Sequence, residues 1–94
     1  MESTINEPIV RVKADANVKD VAGTISKYFE TEGVKRVVLH CIGASSVNQG
    51  IKSVAIARTY VAGRGRDLVC RPGFSKTSIE GNERTVTILI LSQD

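Results

Sequence analysis

The sequence predicts a two-layer α/β sandwich in which a mixed four-stranded sheet carries two helices on one face. Four short runs rich in β-branched residues are typical of strands, and two longer stretches repeat their apolar residues at helical spacing. The predicted order is strand, helix, strand, helix, strand, strand (βαβαββ). Both helices then belong to strand–helix–strand crossovers, and right-handed crossovers place them on the same face of the sheet.

The chain of 94 residues is long enough for one domain. Residues 1–8 are predicted to form a flexible N-terminal arm, and residues 9–94 a single domain. The first strand is expected from Ile9 to Ala14, where apolar residues alternate with Arg11 and Lys13. This alternation places the two cations on the face that the apolar residues do not share.

The first helix is predicted to begin after Asn17, a good N-cap, and to end at Gly33, a good C-cap. Gly23 lies within this helix, where we expect it to allow a close approach of the helix to the sheet. One apolar stripe follows the helical repeat; it consists of Val18, Val21, Ala22, Ile25 and Phe29.

The second strand is predicted over residues 37–42, and its nearly continuous apolar character suggests that it is covered on both faces. Ser45 or Ser46 is expected to cap a second helix that runs to about Ala62. One face of this helix is predicted to carry Val47, Ile51, Val54, Ala55 and Arg58. Ile56 and Tyr60 lie elsewhere on the helical wheel, so they are predicted to contact another subunit.

The last two strands are predicted over residues 67–71 and 86–91, joined by a polar hairpin with its turn at Gly81 and Asn82. The hairpin is expected to project from the domain. Basic residues surround it and would form basic arms able to follow a phosphate backbone or enter a minor groove; they are Arg64, Arg66, Arg71, Lys76 and Arg84.

Composition narrows the classes of function. Thirteen basic and ten acidic residues give a net charge of +3, which permits a nucleic-acid partner without requiring one. Aromatic residues make up only 4%, which argues against a stacking platform for single strands. Cys41 and Cys70 lack metal-ligand spacing and have His40 as the only histidine, so neither a zinc site nor any other metal or cofactor is expected.

The chain is expected to be cytoplasmic, because its first residues are polar and acidic and no apolar run approaches the roughly 20 residues of a membrane span. The cysteines are expected to be buried, reduced thiols. No paired carboxylates, catalytic triad or metal cluster can be recognised, and we therefore predict a protein that is not an enzyme.

The run IGASSVNQGIKSVAIAR at residues 42–58 resembles the stage V sporulation protein S family. The resemblance continues through VAG at residues 21–23, DLVC at residues 67–70 and ERT at residues 83–85. That family is similar, more distantly, to the archaeal Alba chromatin proteins, through the βαβαββ order and a turn of the form Gly-x-x-x-x-Asn at residues 43–48. The resemblance implies an Alba-like fold, dimers or tetramers, and binding of nucleic acid.

The start of the second helix is a second candidate for binding. Free N–H groups and the helix dipole favour an anion beside Ser45 and Ser46, such as a phosphate of a nucleotide or nucleic acid. A plain turn with a serine cap is the alternative. Side chains of the same helix that could contact bases, phosphates or a partner subunit are Asn48, Gln49, Lys52 and Arg58.

Three functions remain open at this stage. The first is a nucleic-acid-binding regulator that acts as a homodimer or homotetramer on DNA or RNA, and whose affinity falls steeply with salt. The second is a module that binds a nucleotide or a cyclic dinucleotide. The third is a self-assembling structural or developmental protein without a ligand.

Overall fold

A computed structural model describes residues 7–94 and contains four strands and two helices. The predicted N-terminal arm lies outside these residues, apart from Glu7 and Pro8. Pro8 is buried, and its carbonyl accepts a hydrogen bond from the amide of Val38 at 3.0 Å. The elements are β1 (Ile9–Val12), α1 (Val18–Glu30), β2 (Arg36–Cys41), α2 (Ala44–Ala62), β3 (Leu68–Ile79) and β4 (Asn82–Gln93).

The sheet order is β1-β2-β4-β3. β1 runs parallel to β2, whereas β4 is antiparallel to both β2 and β3. β2 and β3 are therefore parallel, so each helix connects two parallel strands, as predicted. Both helices pack on one face of the sheet and against each other. The predicted two-layer α/β sandwich with a mixed four-stranded sheet is confirmed.

The core lies between the helices and one face of the sheet. The covered face of β2 contributes Val37, Leu39 and Cys41, which are fully buried. Val38 and His40 point to the opposite face and are only half-buried. The prediction that β2 is covered on both faces is therefore wrong, because the described residues supply no second layer. The second face of the sheet is open.

α1 begins as predicted. The Asn17 side chain accepts hydrogen bonds from the amides of Lys19 and Asp20, each at 3.0 Å. The helix ends earlier than predicted, at Glu30, with Thr31 as its C-cap. Gly33 instead occupies the following turn, where its φ of 89° suits glycine.

α2 begins at Ala44, with Gly43 as its N-cap at a φ of 92°. The prediction of a serine cap is wrong, because Ser45 and Ser46 both lie inside the first turn. The buried face also differs from the predicted apolar stripe: Ile51, Ala55 and Arg58 are exposed. Small residues dominate the face that packs on the sheet, and these are Ser46, Gly50, Ser53, Val54, Ala57 and Val61.

Gly50 is the glycine at which a helix approaches the sheet most tightly. A Cβ atom there would lie 3.0 Å from Leu89 Cδ1 and 3.1 Å from Cys41 Sγ. At Gly23, by contrast, a Cβ atom would have no neighbour within 4 Å. The role predicted for Gly23 therefore belongs to Gly50.

β3 and β4 are each 12 residues long, at least twice the predicted lengths. Their turn consists of Glu80 and Gly81, one residue earlier than predicted, with φ values of 52° and 81°. Positive φ at both central residues is typical of the type I′ turn, which matches the twist of the flanking strands.

Candidate nucleic-acid interface

The open face of the sheet carries only positive charge at its strand positions. Side chains alternate along each strand and cross-strand partners share a face. The register places Arg11 beside His40, and Arg71 beside Ile90. The charged residues at the open-face positions of the four strands are Arg11, Arg36, Arg71 and Arg84. The same positions hold no carboxylate, which gives this face a positive field.

Three of these arginines are available to a ligand as far as residues 7–94 are concerned. Arg36 forms an ion pair with Glu7, whereas Arg11, Arg71 and Arg84 have no acidic partner among the described residues. Lys13, just beyond the end of β1, is also exposed and without such a partner there. As predicted, Arg11 and the neighbouring buried Val12 point to opposite faces of the sheet.

A half-exposed apolar strip lies between these cations. Val38, Ile88 and Ile90 occupy the centre of the open face and are each partly accessible. Ile9 on one edge strand and Val69 on the other are 52% and 43% exposed. The face therefore combines apolar contact area with cations at its margins.

The ends of β3 and β4 form a ribbon that extends beyond the rest of the sheet. β4 pairs with β2 only from Thr87 to Ser92, but its pairing with β3 continues to Ile79 and Asn82 at the turn. Residues 75–79 and 82–86 therefore form a two-stranded ribbon, roughly 16 Å long at the usual rise per residue. Such a ribbon has dimensions that a nucleic-acid groove admits.

Phe74, at the base of this ribbon, is 79% exposed. The sequence predicts only a polar hairpin here, without a role for Phe74. The feature of the sequence that could have indicated its exposure is that Phe74 stands between Gly73 and Ser75, outside any alternation of apolar residues. Lys76 has the same orientation as Phe74, and its Nζ lies 3.8 Å from Glu83 Oε1. That distance is a loose ion pair, which leaves the ammonium accessible.

The candidate residues on α2 belong to the helical layer, which packs on the covered face of the sheet. Gln49 has a structural contact, because its Nε2 donates to the carbonyl of Ala16 at 2.8 Å and ties α2 to the loop before α1. Asn48 and Lys52 are exposed, and so is Ser45, whereas Ser46 is 4% exposed. Within this group, Ser46 lies near Arg11 and Lys13, with which it lines one cavity.

Two of the predicted basic residues are engaged within the domain. Arg58 binds Asp67 through two hydrogen bonds of 2.8 and 3.1 Å, and Arg64 Nη1 contacts Glu30 Oε2 at 2.8 Å. The hydrogen bonds from Arg58 and from the Leu68 amide lower the pKa of Asp67, and Asp67 raises the pKa of Arg58. Arg66 lies beside the Arg58–Asp67 pair, along a shallow surface depression.

The two residues predicted to form an oligomer interface differ in exposure. Tyr60 is 42% exposed, whereas Ile56 is partly buried against the core of its own domain. Ile51, on the same helix, is 49% exposed and is a further apolar residue available for contact. Ile51 and Tyr60 are nine residues apart, which is about 180° around a helix, so these exposed apolar residues lie on opposite sides of α2.

The remaining titratable groups are those of His40 and the cysteines. Burial, and secondarily the positive charge of Arg11, lowers the pKa of His40. Burial raises the pKa of the Cys41 thiol, with a smaller effect from Cys70, and it raises that of Cys70 as well. Both cysteines are free, Cys41 buried and Cys70 half-buried. Among residues 7–94, no cluster of three or more His, Cys, Asp or Glu side chains could hold a metal ion.

The sequence of the chain matches one known family from β1 to β4. The sequence profile described as Stage V sporulation protein S (SpoVS) matches residues 8–94, which is nearly the whole chain. The chain belongs to the SpoVS family. The match spans every strand and helix, so the SpoVS assignment applies to the complete described domain.

The fold of this SpoVS chain is similar to that of a solved archaeal protein. Alba from Thermoplasma volcanium superposes with a TM-score of 0.59 over 92% of this chain and 98% of that chain, at 10% sequence identity. The superposition confirms the Alba-like fold that the resemblance implied. In the part of the chain that the structure describes, no helix is both long and apolar enough to span a membrane.

Proposed function

We propose that this SpoVS protein is a non-enzymatic regulator that binds DNA or RNA and acts as a homodimer or homotetramer. The observation that carries the proposal is the asymmetry of the sheet, whose open face holds arginines and no carboxylate at its strand positions. Such a face attracts the phosphate backbone, since contacts of Lys and Arg with phosphates supply most non-specific affinity. The family name supports a role in sporulation.

The ribbon supports the same proposal by its shape. Phosphate contacts from Arg11, Lys13 and Arg71 would hold the duplex against the open face, while the ribbon with Arg84 reaches along a groove. Phe74 points to the opposite face of the sheet from Arg84, so it would contact a base only where the ribbon lies inside the groove; it is exposed enough to act there as the apolar wedges of architectural proteins do. Association through Tyr60, or through Ile51 on the other side of α2, would place two such faces in one particle.

Salt dependence of binding tests the proposal directly. A fluorescein-labelled 20-base-pair duplex, as DNA and as RNA, would be titrated with the full chain by fluorescence anisotropy. If four cations each contact one phosphate, raising salt from 50 to 200 mM should weaken binding roughly hundredfold per protomer. Light scattering on the same samples should give two or four times the chain mass of 10.1 kDa. No binding at 50 mM salt, or binding that salt does not weaken, would refute the nucleic-acid proposal.

Phe74→Ser is expected to weaken duplex binding while leaving the stability of the fold unchanged. The side chain is 79% exposed, so its loss should leave the melting temperature within about 2 °C of the wild type. A contact with a base is worth about 1–3 kcal/mol, so the affinity for the duplex should fall by between fivefold and 150-fold. Unchanged affinity would exclude Phe74 from the interface.

A further inference from the structure

A cavity lies beside the ribbon, where β1 and β2 end. It has a volume of about 510 Å³, within the range of roughly 300–1,000 Å³ typical of small-molecule sites. Its walls join distant parts of the chain: the end of β1 with the residues that follow it, the end of β2, the first turn of α2, the last residues of β3, and Val86 of β4. A site assembled from segments so far apart in sequence exists only in the folded protein.

The side chains that line the cavity are mainly apolar, with two cations among them. Val12, Ala14, Ile42, Ile79 and Val86 supply the apolar surface. Arg11 and Lys13 supply positive charge, and no Asp or Glu is among the lining residues. An apolar ligand alone would leave the two cations without a partner, and a bare inorganic anion would leave the apolar walls in water.

His40, on the inner strand β2, adds a polar group to the wall of the cavity. It is half-buried, and its register partner is Arg11 on β1. Burial and that arginine lower the pKa of His40, so the imidazole is neutral at pH 7 and can donate one hydrogen bond and accept another. Ser46, in the first turn of α2, also lines the cavity, and it brings the positive end of the α2 dipole to the same wall.

We propose that this cavity binds a small organic anion, a molecule with one anionic group on an apolar body. The apolar body would occupy the space between Ile42, Val86 and Ile79, and the anionic group would face Arg11 and Lys13. The proposal goes beyond nucleic-acid binding and does not depend on it, and the experiment below contains no nucleic acid.

Octanoate is a suitable probe, since it joins a carboxylate to a seven-carbon tail. Titrated into the ¹⁵N-labelled full chain, octanoate should shift the backbone amides of residues 11–14, 40–42 and 77–79 at millimolar or submillimolar concentration. Octan-1-ol, its neutral counterpart, should bind about tenfold more weakly, because it has no charge for Arg11 and Lys13. Inorganic phosphate should bind more weakly than octanoate by a similar factor, because it buries no apolar surface.

Two variants test the location. Ala14→Trp fills the cavity from an exposed position, so it should abolish the octanoate shifts. Arg11→Gln should weaken octanoate about tenfold through the loss of one charged partner. Lys27→Gln, an equal loss of charge on the exposed side of α1, is the matched control and should bind octanoate like the wild type.

Three results would overturn the proposal. Octanoate shifts centred on Phe74, on α1 or on α2 beyond its first turn would place the ligand elsewhere. Phosphate or octanol binding as tightly as octanoate would contradict the ligand class. Octanoate shifts that disappear as protein concentration and particle mass rise together would show that a second copy covers the cavity.

Discussion

Gly50→Val is expected to destabilise the domain more than any other single substitution considered. A Cβ atom at this position already lies 3.0 Å from Leu89 Cδ1 and 3.1 Å from Cys41 Sγ, and valine adds two methyl groups beyond it. Leu89 and Cys41 are themselves buried, so they have no solvent-filled space into which to move. α2 must then move away from the sheet, and overpacking of this kind costs about 3 kcal/mol.

The measurement is thermal unfolding followed by circular dichroism. For a domain of this size, a loss of about 3 kcal/mol lowers the melting temperature by roughly 12–24 °C. Gly23→Ala is the matched control, because it replaces a glycine of α1 whose Cβ would have no neighbour within 4 Å. It should raise stability by up to about 1 kcal/mol through helix propensity. Equal melting temperatures for the two variants would contradict the close contact at Gly50.

Arg71→Glu combined with Arg84→Glu is expected to weaken duplex binding about hundredfold at 50 mM salt. Both residues are exposed on the open face and neither has an acidic partner among residues 7–94. Each reversal removes one phosphate contact and adds a repulsion, and the slope of log affinity against log salt should become shallower by about 2. Anisotropy titrations at several salt concentrations measure both quantities.

The control for this prediction must change the net charge equally. Lys19→Glu combined with Lys27→Glu also takes the net charge from +3 to −1, since each reversal subtracts two, but both lysines lie exposed on α1 in the other layer. This control should lose far less affinity than the open-face variant. Equal losses would mean that the overall charge, rather than the open face, determines binding.

Much of the candidate interface could be predicted from the sequence. The alternation in β1 was sufficient to place Arg11 opposite Val12, and Arg71 and Arg84 were recognised as part of a basic hairpin. Ion pairing could not be predicted, because Arg58–Asp67 and Arg64–Glu30 join residues 9 and 34 positions apart. Phe74 and the wall of the cavity were missed, since their significance depends on what lies beside them in space.

The sequence by itself determined the order of the elements, the cap of α1 and the class of fold. These follow from local causes: the period of the apolar residues, the hydrogen bonds of Asn17 and the handedness of crossovers. The length of β3 and β4 was not determined locally, because most residues of the ribbon are exposed and show no apolar alternation.

Only the tertiary structure decided which face of the sheet is open and which glycine lies against it. Val38 and His40 have apolar neighbours in the sequence, as residues of a buried strand do. The described chain nevertheless supplies no layer to cover them. Gly23 and Gly50 both lie within helices. Only Gly50 lacks room for a side chain, because α2 packs closely on Leu89 and Cys41. Burial and close contact are properties of pairs of distant segments, so periodicity along a single segment cannot reveal them.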